Sequence, residues 1–204
     1  MTSSYDTFSS LSSVPRTWTV MNEIFTIRLS LRRIQEPDLP LLCKWSNSER
    51  YNGPYLTPER MSMQTCLEKL NNDYFWNDDA RIYIIQLKKE RRPVGTIQYW
   101  KKQGTSFTVC MTVRIAEPAE RGKGYGTEAQ KVLVRQLFLV AGYEDVEMHT
   151  DIDNIAQQRC LEKIGFEFVS SQVFLDNGIE RLGRLYRMNR TQYESSPGAL
   201  FYYE

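Results

Sequence analysis

Between residues 114 and 140 the chain reads as a strand, a glycine loop and an amphipathic helix, and this run constrains the fold more than any other stretch. Arg121-Gly122-Lys123-Gly124-Tyr125-Gly126-Thr127-Glu128-Ala129 places three glycines in five positions. Glycine lets the backbone turn tightly and leaves no Cβ in the way of a ligand. Backbone N–H groups at a helix start, aided by the helix dipole, then point at an anion such as a pyrophosphate. A glycine-rich turn with no ligand is the plainer alternative. Two familiar phosphate loops do not fit. A Walker loop needs GxxxxGK[ST], and Lys123 lacks that spacing. A dinucleotide fingerprint needs GxGxxG after the first strand of a parallel sheet. The spacing here is GxGxG, and the preceding strands form a meander.

The 204 residues suit one ordinary domain, expected over residues 23–190, with a Ser-rich leader over 1–22 and a C-terminal tail over 191–204. With 26 basic and 25 acidic side chains the net charge is +1, which argues against a nucleic-acid binder. Apolar runs are short and interrupted, so no transmembrane span is expected. The start lacks the basic and apolar regions of a signal peptide. Cysteines 43, 66, 110 and 160 are far apart and accompany a single histidine, His149. No metal site is expected, and the cysteines read as reduced thiols of a cytoplasmic protein.

The pattern predicts a strand over Ile24–Arg32, then a helix capped by Asp38. A turn-rich segment over Asn47–Thr57 follows, and then a second helix starting at Thr57-Pro58 and running towards Leu70. Asp79–Leu87, Val94–Trp100 and Ser106–Ile115 form a three-stranded meander, with Lys88–Pro93 as a charged hairpin loop. Tyr125–Val140 is a helix whose apolar face carries Ala129, Val132, Leu133, Gln136, Leu137 and Val140. A strand over Asp145–Thr150 and a helix over Asn154–Ile164 follow. Strands over Phe166–Phe174 and Leu185–Asn189 come next, with a turn at Asp176-Asn177-Gly178 between them. The segment Tyr193–Glu204 shows no clear element. The fold class is α+β, a mixed and mostly antiparallel sheet flanked by helices.

The loop, together with Asp153-Asn154-Ile155-Ala156 and the helix ending Cys160-Leu161-Glu162-Lys163-Ile164-Gly165-Phe166, resembles the GNAT superfamily of acetyl-CoA-dependent N-acetyltransferases. Arg121, Gly124 and Gly126 match its (Q/R)xxGx(G/A) loop, and GKGYGTEA with LEKIGF is similar to the RimJ/RimL-type branch. The resemblance implies that the amides of Gly122, Lys123, Gly124, Tyr125, Gly126 and Thr127 hold the coenzyme A pyrophosphate. It implies a strand splayed from its neighbour, with the backbone of Val113 and Ile115 pairing with pantetheine. Asn154 would bond the pantetheine, and the turn Cys160–Lys163 would flank it. An amide of the Met111–Val113 region would polarise the thioester carbonyl. Direct attack would then need amine and thioester held in line beside a fixed oxyanion donor.

Many members of the superfamily carry a tyrosine seven residues after the asparagine, and here that position is Leu161. The serine frequent three residues after it is Gln157. A base is needed because an alkyl amine is mostly protonated at neutral pH. Glu147, His149 and Asp151 alternate along one strand face and are candidates, although His149 reads more readily as a packed or surface side chain. Glu117 is a further carboxylate near the loop. Cys160 reads as a packing residue. Trp45, Tyr51, Tyr55 and Trp100 are candidates for an acceptor wall, by cation–π contact with an amine, or else for core. Asp73, Asp78 and Asp79 form an acidic cluster that would suit a polycation. The expected activity is acetyl transfer from acetyl-CoA, with no metal. The acceptor is an aminoglycoside-like antibiotic, a polyamine or a protein N-terminus, and the enzyme works as a monomer or homodimer away from membrane. The alternative is a non-catalytic acetyl-CoA-binding sensor or interaction module.

Overall fold

The computed structural model describes residues 22–196. Residues 1–21 of the expected leader and 197–204 of the expected tail lie outside the described residues. Eight strands form one sheet in the order β1-β2-β3-β4-β5-β6-β8-β7. They are β1 (Glu23–Phe25), β2 (Leu29–Arg33), β3 (Ala80–Leu87), β4 (Arg92–Lys101), β5 (Thr108–Ile115), β6 (Asp145–Asp151), β7 (Glu167–Asp176) and β8 (Ile179–Asn189). Every pairing is antiparallel except β5 with β6. The chain is α+β, as its pattern of elements requires.

The helices are α1 (Leu39–Ser46), α2 (Glu49–Asn52), α3 (Met63–Asn71), α4 (Tyr125–Leu139), α5 (Ile155–Ile164) and α6 (Arg190–Ser195). Alternation along β3 feeds two cores. Tyr83, Ile85 and Leu87 pack with Leu133, Leu137 and Phe138 of α4, while Ile84 packs with Leu42, Trp45 and Cys66 of α1 and α3. The sheet is therefore covered on both faces.

Five expectations are corrected. The predicted strand over Ile24–Arg32 is a hairpin, because Thr26 closes a turn: its N–H and hydroxyl donate to the Leu29 carbonyl and its Oγ1 accepts from Leu29 N–H. Helix α3 starts at Met63 with Ser62 as its cap, not at Thr57. Thr57 is instead tied to the β7–β8 turn: its N–H donates to the Asp176 carboxylate and its carbonyl accepts from Asn177. Asp38 does not cap α1 with its side chain, since its carboxylate pairs with Arg32 at 2.7 Å. The C-terminal segment begins with α6, whose Tyr193 ring packs on Phe138. Helix α4 also buries more than one stripe. Gln130, Val134 and Phe138 are enclosed along with Ala129, Leu133 and Leu137, because α5 and α6 cover its second side.

Candidate active site

Strands β5 and β6 pair in parallel only over Thr108–Cys110 with Asp145–Glu147. Beyond that point they part. One edge of β5 stays bonded to β4 through Ile115, while its other edge, Met111–Ile115, has no strand partner. A cleft of about 430 Å³ opens at the split. Met111, Thr112, Val113, Met148, His149, Thr150, Asp151, Asn154 and Gln157 line it, with Gln98, Trp100 and Tyr55 along one side and Phe174 to Asn177 closing its mouth. A groove of similar volume, lined by residues of Glu36–Pro40 and Met63–Leu67, lies apart from the glycine loop.

The loop after β5 brings the glycines to the start of α4. Gly122 and Gly124 adopt φ +74 and +82, left-handed conformations that disfavour a side chain. A Cβ on Gly122 would meet nothing within 4 Å, so that side of the loop is open to a ligand. The loop is clamped from behind. Arg121 donates from Nε to the Ile115 carbonyl at 2.9 Å, and from Nη2 to the carbonyls of Arg50, Tyr51 and Ala116. Its guanidinium thus ties the end of β5 to α2. Lys123 pairs with Glu120, and Arg28 pairs with Glu128 on the first turn of α4. The free amides at the helix start, the open face of Gly122 and the unpaired β5 edge fit a pyrophosphate and an extended arm carrying amides.

The three carboxylate and imidazole candidates on β6 separate. Glu147 is buried and does not line the cleft. Its oxygens take Lys102 Nζ at 2.7 Å and Arg187 Nη2 at 2.6 Å. Burial pushes its carboxyl up, but those two bonds outweigh it and hold it below the usual range. A carboxylate engaged in this way is a poor proton acceptor, so the structure does not support Glu147 as the base. His149 lines the cleft, stacks on Phe174 at 5.4 Å and lies 2.6 Å from the Gln172 amide. Burial lowers its pKa, which favours the neutral ring at pH 7. Asp151 lines the cleft paired to Arg181, whose Nε also bonds Asp176, both at 3.2 Å. Cys110 reaches the cleft too, but burial pushes its thiol up to about 11, so it is protonated and not nucleophilic.

The aromatic candidates divide in the same way. Tyr55 and Trp100 line the cleft, and Trp100 is 38% exposed. Trp45 is fully buried between α1 and the sheet and donates from Nε1 to Glu117 at 2.9 Å. Tyr51 packs on the same core, with Lys44 over its ring. These two belong to the core, because α1 and α2 turn their apolar faces to β3. Glu117 is correspondingly held by Trp45. Asp73 and Asp79 pair with Arg33 and Lys101, and none of Asp73, Asp78 and Asp79 lines the cleft. Lys163 is exposed on α5 and also does not line the cleft. Leu161 is buried in the main core. The sequence reading missed Gln98, Thr150, Phe174, Asp176 and Asn177 as lining residues. Only the Asp-Asn-Gly turn carried a signal, and it signalled a hairpin tip, not a cleft wall. Among the described residues no group of His, Cys, Asp and Glu is placed to hold a metal ion.

Comparison with known proteins bears on this geometry. Residues 28–167 match the acetyltransferase (GNAT) domain family. The chain is 26% identical over 153 residues to an aminoglycoside N(6')-acetyltransferase type 1 of Klebsiella pneumoniae, covering 68% of this chain and 74% of that protein. Its fold is similar to that of a spermidine N-acetyltransferase chimera from Vibrio cholerae and hSSAT. That match has TM-score 0.70 and 17% identity, and covers 83% of this chain and 99% of the other. It is also similar to RimL, a ribosomal alpha-N-protein acetyltransferase, in complex with coenzyme A. There the TM-score is 0.68 with 14% identity, covering 80% and 95%.

Proposed function

The chain belongs to the GNAT acetyltransferase family and is an acetyl-CoA-dependent N-acetyltransferase, and from that premise we propose that the β5–β6 cleft is its active site and that its acceptor is the primary amine of a small polyamine-like or aminoglycoside-like molecule. The single observation that carries this reading is that one unpaired strand edge joins two features. Met111–Ile115 of β5 runs from the cleft lined by Tyr55, Trp100, His149 and Asp151 to the left-handed glycine loop held at Ile115. The amides of Gly122 to Thr127 hold the pyrophosphate, and the Val113 and Ile115 backbone aligns the pantetheine. Asn154 and the start of α5 flank the pantetheine, and an amide of Met111–Val113 faces the thioester oxygen.

In the reaction the neutral amine nitrogen attacks the thioester carbon. A C–N bond forms, the C–S bond breaks and its electron pair leaves on sulfur. The amine's excess proton passes to a base. His149 is the base this geometry favours: it lines the cleft, and its burial keeps it neutral. Direct attack is supported by Cys110, the cysteine that lines the cleft: burial pushes its thiol up to about 11, which makes it a poor acceptor for the acetyl group. Asp151 and Asp176 supply carboxylates for a second ammonium of the acceptor, which would compete with Arg181 for them. Tyr55 and Trp100 form its aromatic side. The names of the relatives support this acceptor class, whereas RimL supports a protein N-terminus as the second reading.

Among the described residues no helix is long and apolar enough to cross a membrane. A cytoplasmic site of action, supported by four free cysteines, and a monomer or homodimer complete the proposal. The test is coenzyme A release from acetyl-CoA against aminoglycosides, polyamines, amino acids and N-terminal peptides, with a no-acceptor blank because the protein's own thiols react with thiol reagents. Turnover of polyamines or aminoglycosides is expected. Turnover of peptides alone would select the second reading, and binding without any turnover would select the acetyl-CoA sensor.

A further inference from the structure

We propose that Thr150 is the residue that receives the leaving sulfur, taking over the place in the reaction that Leu161 leaves empty. The inference rests on the reading of the β5–β6 cleft as the coenzyme site.

Thr150 lies on β6 three residues beyond Glu147, the last to pair with β5, so it stands in the split itself. Its strand is bonded to β8 on the far side, where Thr150 faces Arg184. It lines the cleft and is 5% exposed. Its Oγ1 is buried and has no hydrogen-bond partner. Of the side chains that line the cleft it is the one with a buried, unpartnered polar atom among the described residues. Buried hydroxyls are normally satisfied, and one left unmatched at a cleft wall marks a place where a ligand atom is expected. Alternation puts Thr150 on the same side of β6 as the core residues Val146 and Met148, which is the side covered by α4 and α5. The pyrophosphate loop opens on that same side. His149 and Asp151 project to the other side, where the acceptor enters.

The neighbouring amide side chains are already engaged in protein contacts. Gln157 donates its side-chain amide to Gln130 Oε1 at 2.7 Å. The Asn154 side-chain oxygen accepts from Gln157 N–H to cap α5. Leu161 is buried in apolar surroundings and has no polar side-chain atom. The thiolate that forms when the C–S bond breaks carries a full charge, and the Thr150 hydroxyl is the buried, unpartnered donor on its side. The hydroxyl donates a hydrogen bond and keeps its proton. The electron pair stays on sulfur until the thiolate is protonated from solvent or departs, and the proton balance runs through the amine and its base.

The test compares coenzyme A with desulfo-coenzyme A, which lacks the sulfur, by calorimetry on the full chain. The variants are Thr150→Val, which keeps the shape, and Thr150→Ser, which keeps the hydroxyl. Wild type and Thr150→Ser should bind coenzyme A more tightly than the desulfo compound at a pH where the bound thiol ionises. Thr150→Val should lose about tenfold or more of that difference while binding the desulfo compound like wild type. In parallel, the thiolate absorbance of bound coenzyme A, with the desulfo complex as baseline, should show a higher thiol pKa in Thr150→Val. Equal losses for both ligands would place the hydroxyl on another part of the pantetheine and overturn the assignment, and no change in either readout would overturn it too. Failure of wild type to bind either ligand would instead sink the coenzyme site on which the inference rests.

Discussion

At the scale of single residues, backbone conformation and burial decide which groups can act. Gly124 holds φ +82 at the start of α4, where an L side chain costs about 1–2 kcal/mol. Gly124→Glu is therefore expected to lower stability by about that amount in denaturant unfolding, and to abolish coenzyme A binding through bulk and charge at the pyrophosphate. Retained affinity in calorimetry would contradict the loop assignment. His149 gives a second outcome at this scale. Burial lowers its pKa, so the acidic limb of kcat/KM should fall below the ordinary histidine value of about 6.5. His149→Gln should remove that limb and lower kcat more than it raises KM, and an unchanged pH profile would show that the base lies elsewhere.

Elements show why some of this was legible in the sequence and some was not. The strand–glycine loop–helix run could be read because its glycines occupy positions that only they fill easily, and α4 follows with a clear apolar stripe. The meander was legible from period-two alternation in β3, β4 and β5. Residues whose roles depend on a distant partner were not legible. Trp45 looks like a candidate acceptor wall until α1 is seen to bury it against β3. Thr57 looks like a helix cap until Asp176, 119 residues later, takes its N–H. Glu147 looks like a base until Lys102 arrives from just past β4 and Arg187 from β8. Trp45→Ala should accordingly cost about 3–5 kcal/mol in chemical denaturation as a core deletion. Trp100→Ala should leave stability nearly unchanged and raise the KM of the acceptor. The reverse pattern would return Trp45 to the site. The Glu147 pairing between β6, β8 and the residue after β4 also predicts a pH dependence. Its folded pKa is depressed, so its contribution is present above the unfolded carboxyl value of about 4.3. That contribution is lost as pH falls through the lower folded value. Glu147→Gln should therefore flatten the fall in Tm below about pH 4.3 relative to wild type. A parallel fall in both proteins would mean that other carboxylates carry the acid sensitivity.

On the scale of the whole molecule, one defect in the sheet organises everything else. A parallel pair joined over three residues and then parted leaves the strand edge proposed for the coenzyme and opens the cleft proposed for the acceptor. The glycine loop is tied to α2 by Arg121, and the β7–β8 hairpin is tied to the Pro54–Thr57 segment by Asp176, Asn177 and Arg181. The two sides of the cleft are thus held by different parts of the chain. The most direct test of this arrangement is backbone amide hydrogen exchange with and without acetyl-CoA. Slowed exchange should concentrate in Met111–Ile115 and Gly122–Thr127, with smaller protection at the start of α5. Protection confined to the groove between α1 and α3, or none at all in the presence of bound acetyl-CoA, would contradict the placement of the active site at the split.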